Sequence, residues 1–219
     1  MVALAGSRLT SNDIVGVDTS GERALSHLLG AKTCGDLGEL ATQKEMRERR
    51  SVDHCVDFET RTGVACIAPT QERPVVDPEE LEVALHQLHR RFRGYVVDVP
   101  STVATSLMQP VLGVADFVVA VTAARRVPDW VFHSDNPLKP YLSDSRLCFV
   151  HAHDLPPAGV VQPFNLQVPA FALHAQVQAD GRWNLPVSAR GLDLSSGDVQ
   201  LTKTAIEIAD VVYHSAGSD

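Results

Sequence analysis

Ile14-Val15-Gly16-Val17-Asp18-Thr19-Ser20-Gly21 is the stretch whose reading decides the fold. An apolar run with no polar alternation stops at a carboxylate and passes into a small, turn-forming segment. A strand that shows water on neither side is covered on both faces, as strands of a parallel sheet between helices are. The same arrangement recurs in Gly94-Tyr95-Val96-Val97-Asp98-Val99-Pro100-Ser101. Further runs of this kind at 64–68, 117–121 and 147–150 complete a set of five expected strands, with 14–17 and 95–97 as the strand parts of the two quoted segments. Weaker strands are expected at 167–168 and 172–177. In open α/β sheets ligands sit beyond the carboxyl ends of the strands. Asp18 and Asp98 are therefore the groups expected to carry chemistry, by holding Mg²⁺ through water or orienting a water beside a phosphate.

Helical patterns separate the runs. The clearest spans 78–92: Asp77 suits the N-cap, Pro78 the first helical position, and Glu80 stands three residues after the cap. Leu81, Leu85, Leu88 and Phe92 then recur at helical spacing on one apolar face. Further helices are expected at 22–29, 102–112, 128–142 and 202–213, with Pro110 shortening or kinking the second of these. Strand and helix in alternation predict a three-layer α/β domain, a mostly parallel sheet flanked by helices. One domain over 1–214 with a frayed tail at 215–219 is expected from a chain of 219 residues.

Composition narrows the function classes. The chain is 44% hydrophobic and 21% charged with a formal net charge of −8, which speaks against broad electrostatic capture of nucleic acid. The basic residues Lys44, Arg47, Arg49 and Arg50 are interleaved with Glu45 and Glu48 and read as a solvated helix face. No apolar run is long enough to span a bilayer, and the apolar start at Met1 lacks the basic residues of a signal peptide. A cytoplasmic protein is expected, with DNA or membrane contact not evident. Cys34, Cys55, Cys66 and Cys148 form no C-x-x-C pair, and Cys66 and Cys148 sit inside apolar runs as core residues do.

The ordered segments resemble the ParA/MinD family of deviant-Walker P-loop ATPases. Residues 14–30 are similar to its V-x-x-V-D-x-D-x-x-x-x-L-S-x-L-L-G stretch, and residues 94–101 to its Y-V-I-I-D-x-P-P Walker B segment. Ala115-Asp116-Phe117-Val118-Val119-Ala120-Val121-Thr122 is similar to A-D-x-V-L-V-P-V-T, and 63–69 to the strand giving G-L-x-V-L-P-A. The resemblance covers residues 3 to 150. It implies ATP-driven switches that position plasmids, chromosomes or the septum, or accompany secretion, and that work as homodimers or with a protein partner, without a covalent cofactor. It implies ATP and Mg²⁺ as ligands. Asp98 would be the Walker B acid near Mg²⁺ and Asp18 the first switch I acid, both catalytic. Pro100 and Ser20 would line the nucleotide site. Ser20, however, stands where the family has its second acid, and a serine cannot replace that carboxylate.

The family's G-K-G-G-V-G-K-[ST] loop is absent from these residues, and 2–9 match the end of the helix that follows it. Three explanations stand: a start or fragment boundary placed late, a degenerate relative, or a rearranged start with residues 2–5 as an edge strand. This chain is expected to hydrolyse little or no ATP alone, and a non-catalytic adaptor that keeps the fold and partner surface is the alternative.

Cys148, His151, His153 and Asp154, with His133 as a further donor, form the densest metal-capable set, but polar strand-end residues are the preferred reading. His54-Cys55 beside Asp53 and Asp57 is read as a surface loop over a reactive thiol site, and His86 and His89 as solvated. Ser101 lacks the G-x-S-x-G turn of a hydrolase. Trp130 and Phe132 are read as core.

Overall fold

The computed structural model describes residues 14–31, 35–42, 49–60, 63–70, 77–99, 105–122, 137–143, 146–153, 170–174, 187–188, 191–192, 206 and 209. Of these, 49–51, 105–106, 122, 142–143, 149, 151–153, 170–174, 187–188 and 191–192 are described in backbone alone. The chain divides into two compact units, Met1–Val114 with Val187–Asp193, and Ala115–Pro186 with Leu194–Asp219.

The first unit holds a four-stranded parallel sheet of order β2-β3-β1-β4. Its strands are β1 (Ile14–Asp18), β2 (Gly35–Asp36), β3 (Ala65–Ala68) and β4 (Gly94–Asp98). Helices α1 (Ala24–Leu29), α2 (Leu37–Thr42), α3 (Arg49–His54), α4 (Pro78–Arg91) and α5 (Thr105–Val114) accompany it. A short antiparallel pair, β8 (Val187–Ser188) and β9 (Gly191–Leu192), belongs to the same unit. The second unit carries a parallel sheet of order β5-β6-β7, from β5 (Val118–Thr122), β6 (Leu147–His153) and β7 (Ala170–His174), with the short helix α6 (Lys139–Ser143). The fold is α/β, a mostly parallel sheet flanked by helices, as the apolar runs predict.

Every residue of β1 is buried because both of its faces are covered. Val15 and Val17 enter a core with Leu37, Leu40, Ile67, Leu81, Leu85 and Leu88. Ile14, Gly16 and Asp18 alternate onto the other face, where α1 lies. A Cβ built on Gly16 would stand 3.0 Å from Leu29 Cδ1 and 3.3 Å from Leu25 Cδ2, so the missing side chain is what lets α1 sit directly on the strand. Below it, Ser26 Oγ and Cys66 Sγ share a buried 3.4 Å contact between α1 and β3.

Helix α4 forms as its sequence predicts. The Asp77 side chain accepts from the Glu79 amide at 2.8 Å, and the Glu80 carboxylate accepts from the Asp77 amide at 3.4 Å, which completes the capping box. Its buried stripe of Leu81, Ala84, Leu85 and Leu88 faces the core, while His86 and His89 are exposed. At its C-terminal end Arg91 Nε donates to Asp53 Oδ1 at 2.7 Å, and its guanidinium lies 4.9 Å from the Phe92 ring centroid, tying α3 to α4.

Several expectations meet the structure differently. The helix expected at 102–112 is observed as Thr105–Val114, with Pro110 inside it. The strand expected at 172–177 is observed as Ala170–His174. β2 and α2 were not expected from the sequence, and of the helix face read at 44–50 the described residues are Arg49 and Arg50, at the start of α3. Of the helix expected at 128–142 only α6 falls among the described residues, and of the one at 202–213 only Ile206 and Ala209, both helical. Residues 167–168, the tail at 215–219, Trp130 and Phe132 lie outside the described residues. Among the described residues, no helix is long and apolar enough to cross a membrane.

Gly35 gives the sharpest test of this packing. A Cβ there would fall 1.8 Å from the Cys55 carbonyl oxygen and 2.9 Å from Val56 Cα, which are backbone atoms that cannot swing away. Gly35→Ala is expected to destabilise the chain by about 3 kcal/mol, measured by urea unfolding, while Gly16→Ala costs about 1 kcal/mol because Leu29 can yield at its tip.

Candidate functional site at the carboxyl rim of the four-stranded sheet

β1 and β4 pair in parallel from Ile14↔Gly94 to Asp18↔Asp98, so the two acids are direct register partners at the carboxyl end of their strands. Sequence reasoning singled out both, and the topology brings them together. Their surroundings then separate them.

Asp18 is fully buried. Its Oδ1 accepts from the Ser20 amide at 2.9 Å and the Ser20 hydroxyl at 2.8 Å. Its Oδ2 accepts from the Leu25 amide at 2.9 Å and the Ser26 amide at 3.3 Å, the free donors at the start of α1. A buried carboxylate is tolerable only when hydrogen-bonded in this way. Asp18 therefore acts as a cap delivered from the preceding strand, and the residue in the formal N-cap position, Arg23, has no capping side-chain bond. Arg23 instead adopts the left-handed conformation, φ 58°, which is costly for a residue with a Cβ. Its Nε donates to the Pro69 carbonyl at 3.2 Å, which anchors the loop to the end of β3.

Thr19 closes the junction from the other side. Its amide donates to the Asp98 carbonyl at 3.2 Å and its hydroxyl donates to the same oxygen at 2.7 Å. The loop after β1 is thus bolted to β4 at the site itself. Asp98 is half-buried, and burial, followed by the nearby Asp18 charge, pushes its carboxyl above the ordinary range. Of the pair, Asp98 is the acid whose charge is poorly accommodated, as is common for groups kept for binding or chemistry.

Ser20 serves as a hydroxyl and amide donor to Asp18. Sequence reasoning missed Thr19 and Arg23, and missed that both Asp18 oxygens are engaged locally. An Asp followed two residues later by a serine is the signal of an Asx turn, and it was available. Pro100, Ser101 and Thr102 lie outside the described residues, as do His133 and Asp154.

The thiol expectations divide. Cys66 and Cys148 are buried, as expected, and burial pushes Cys148 up to about 12. Cys55 corrects the surface-loop reading of its segment: it is buried at the end of α3, and burial, then Glu39 and Asp36, push its thiol up to about 11, the opposite of a reactive site. Among residues whose side chains are described, no group of three or more His, Cys, Asp or Glu could hold a metal ion.

A parallel α/β sheet with an acid pair at its carboxyl rim is the class of protein these observations define. No family model matches the chain, and no curated protein does. Among solved structures, the chain is similar to the ParA family ATPase from Chlorobium tepidum TLS, with a TM-score of 0.58 and 13% identity over 95% of this chain and 92% of that one. At that identity the likeness shows a shared fold, one similar to a ParA P-loop NTPase.

Two substitutions read the site. Asp18→Ala leaves the buried Ser26 amide and the part-buried Leu25 and Ser20 donors without their acceptor and is expected to cost about 3 kcal/mol. Asp98→Asn is expected to raise the melting temperature at pH 7. Because the folded-state pKa lies above the unfolded value, ionising Asp98 disfavours the fold as pH rises through it, and an amide removes that cost. The gain should shrink as pH is lowered and vanish below the unfolded pKa; a gain that persists in acid contradicts the assignment.

Proposed function

We propose that this chain is part of a ParA/MinD-like nucleotide-dependent positioning or secretion-associated switch, and that these residues hydrolyse little or no ATP by themselves. The observation that carries this reading is the contrast between Asp18 and Asp98 on paired strands. The rim keeps the frame in which the family resemblance would place Mg²⁺ and a water, with Asp98 the acid suited to hold Mg²⁺ through water. Asp18, the other acid, is occupied by four donors of its own chain. Ser20 stands at the position where the resemblance calls for a second acid.

Tight phosphate binding needs amides and a lysine converging on the β- and γ-phosphates. The sequence has no G-x-x-x-x-G-K-[ST] run to supply them. ATP affinity is therefore expected to be weak, with binding to a second copy or a protein partner as the retained property. The same contrast favours the adaptor as second reading, since a rim rigidified by Asp18 and Thr19 can present a surface without turning over nucleotide.

Thermal melting with ATP-Mg²⁺ tests this. A ligand at 100 times its Kd adds about 2.7 kcal/mol to stability, or roughly 5 °C or more in a chain of this size. No shift is expected with ~1 mM ATP-Mg²⁺, a concentration that saturates sites of Kd near ~10 µM. A gain of several degrees, abolished by Asp98→Ala, would establish a working nucleotide site and overturn the weak-affinity expectation.

A further inference from the structure

We propose that His151, His153 and His174, which the parallel register of β6 and β7 places on one face at the carboxyl ends of these strands, form a three-imidazole site for a divalent transition metal of the zinc class. His153 and His174 are direct register partners. His151 precedes His153 by two residues on the same strand and so shares its face. Neighbouring strands lie about 4.8 Å apart and residues two apart on a strand about 6.6 Å. Three histidine positions thus fall on one face within about 8 Å of one another.

The fourth corner of this rectangle is Ala172, the register partner of His151. Thr122, in register with His151 on the other neighbouring strand, sets a hydroxyl-bearing residue beside the group. Cys148 is excluded from the set. Its odd spacing from His151 assigns it to the opposite face, where it is buried with its thiol pushed up to about 12. The donors are therefore nitrogen alone, which suits zinc, copper or nickel and disfavours magnesium and calcium. Three histidines with one open position is the arrangement of exchangeable or catalytic zinc; closed structural sites use four protein ligands. Among the described residues of this unit, the histidines stand at the carboxyl ends of β6 and β7, where α/β sheets bind ligands. The site lies wholly within the unit of β5, β6 and β7 and does not depend on the nucleotide reading.

The test is calorimetric titration of the chelator-treated full chain with Zn²⁺ alone at pH 7.5, with Co²⁺ absorption as a geometric readout. One ion per chain at micromolar Kd or tighter is expected, with the intense visible bands of tetrahedral Co²⁺. His153→Ala and His174→Ala should each weaken binding at least tenfold, and His86→Ala, on the exposed side of α4, should not change it. Absence of binding, or wild-type affinity in His153→Ala and His174→Ala, overturns the proposal. If either variant fails to fold, modification of the wild-type chain by diethyl pyrocarbonate decides: Zn²⁺ must protect residues 151, 153 and 174, and equal labelling with and without Zn²⁺ refutes the site.

Discussion

The Asp18 carboxylate is the constraint on which the first unit depends. A fully buried charge is sustained only by donors that face it, and here those donors fix three things together. The Ser20 amide and hydroxyl shape the turn after β1. The Leu25 and Ser26 amides set where α1 begins. That origin in turn lays Leu25 and Leu29 over Gly16, where a larger residue would hold the helix away. The left-handed Arg23 is part of the same construction, because the chain must reverse sharply to bring the α1 amides back onto Asp18. The strain at Arg23 is tolerated because a shorter path satisfies the buried acid.

Two acids in register could have been equivalent, and the loop after β1 makes them different. Thr19 takes the Asp98 carbonyl, so the backbone of β4 is engaged while its carboxyl remains half-buried beside a second carboxylate. Burial and the neighbouring charge both disfavour its ionised form. A cation or a donor arriving at the rim would relieve that cost at Asp98, whereas at Asp18 it would have to displace bonds already made. Binding energy is available at one acid and absent at the other.

What could be read in the sequence follows the range over which each cause acts. The α4 boundaries were legible because Asp77, Pro78 and Glu80 act within one turn of the residues they cap. The five main strands were legible because burial on both faces writes itself into each run separately. β2 was not, since two residues carry no periodicity and Gly35 is required by the backbone of Cys55, twenty positions away. Cys55 was misplaced for the same reason: its neighbours His54 and Asp57 are polar, and only the packing of α3 against the core shows that the thiol turns inward. Asp18 and Asp98 were found as a pair but not told apart, because their difference lies in hydrogen bonds to a loop whose shape the sequence hints at through Ser20 alone.

Parallel pairing explains the remaining gap. A hairpin fixes its register through a short turn that can be recognised locally, whereas parallel strands are joined by long crossovers that leave register to tertiary packing. His151 and His153 can be seen as a pair from their spacing, since a strand alternates faces. Nothing near His174 announces that β7 aligns it with His153. The sequence therefore offered Asp154 and His133 as further donors on proximity and composition, while the sheet supplies a histidine from a separate strand. The same logic made the acid pair credible before any coordinates: parallel strands all end on one rim, so polar residues at the ends of apolar runs are gathered there whatever the register. Register decides which of them meet, and it is at that step that a list of candidate residues becomes a site.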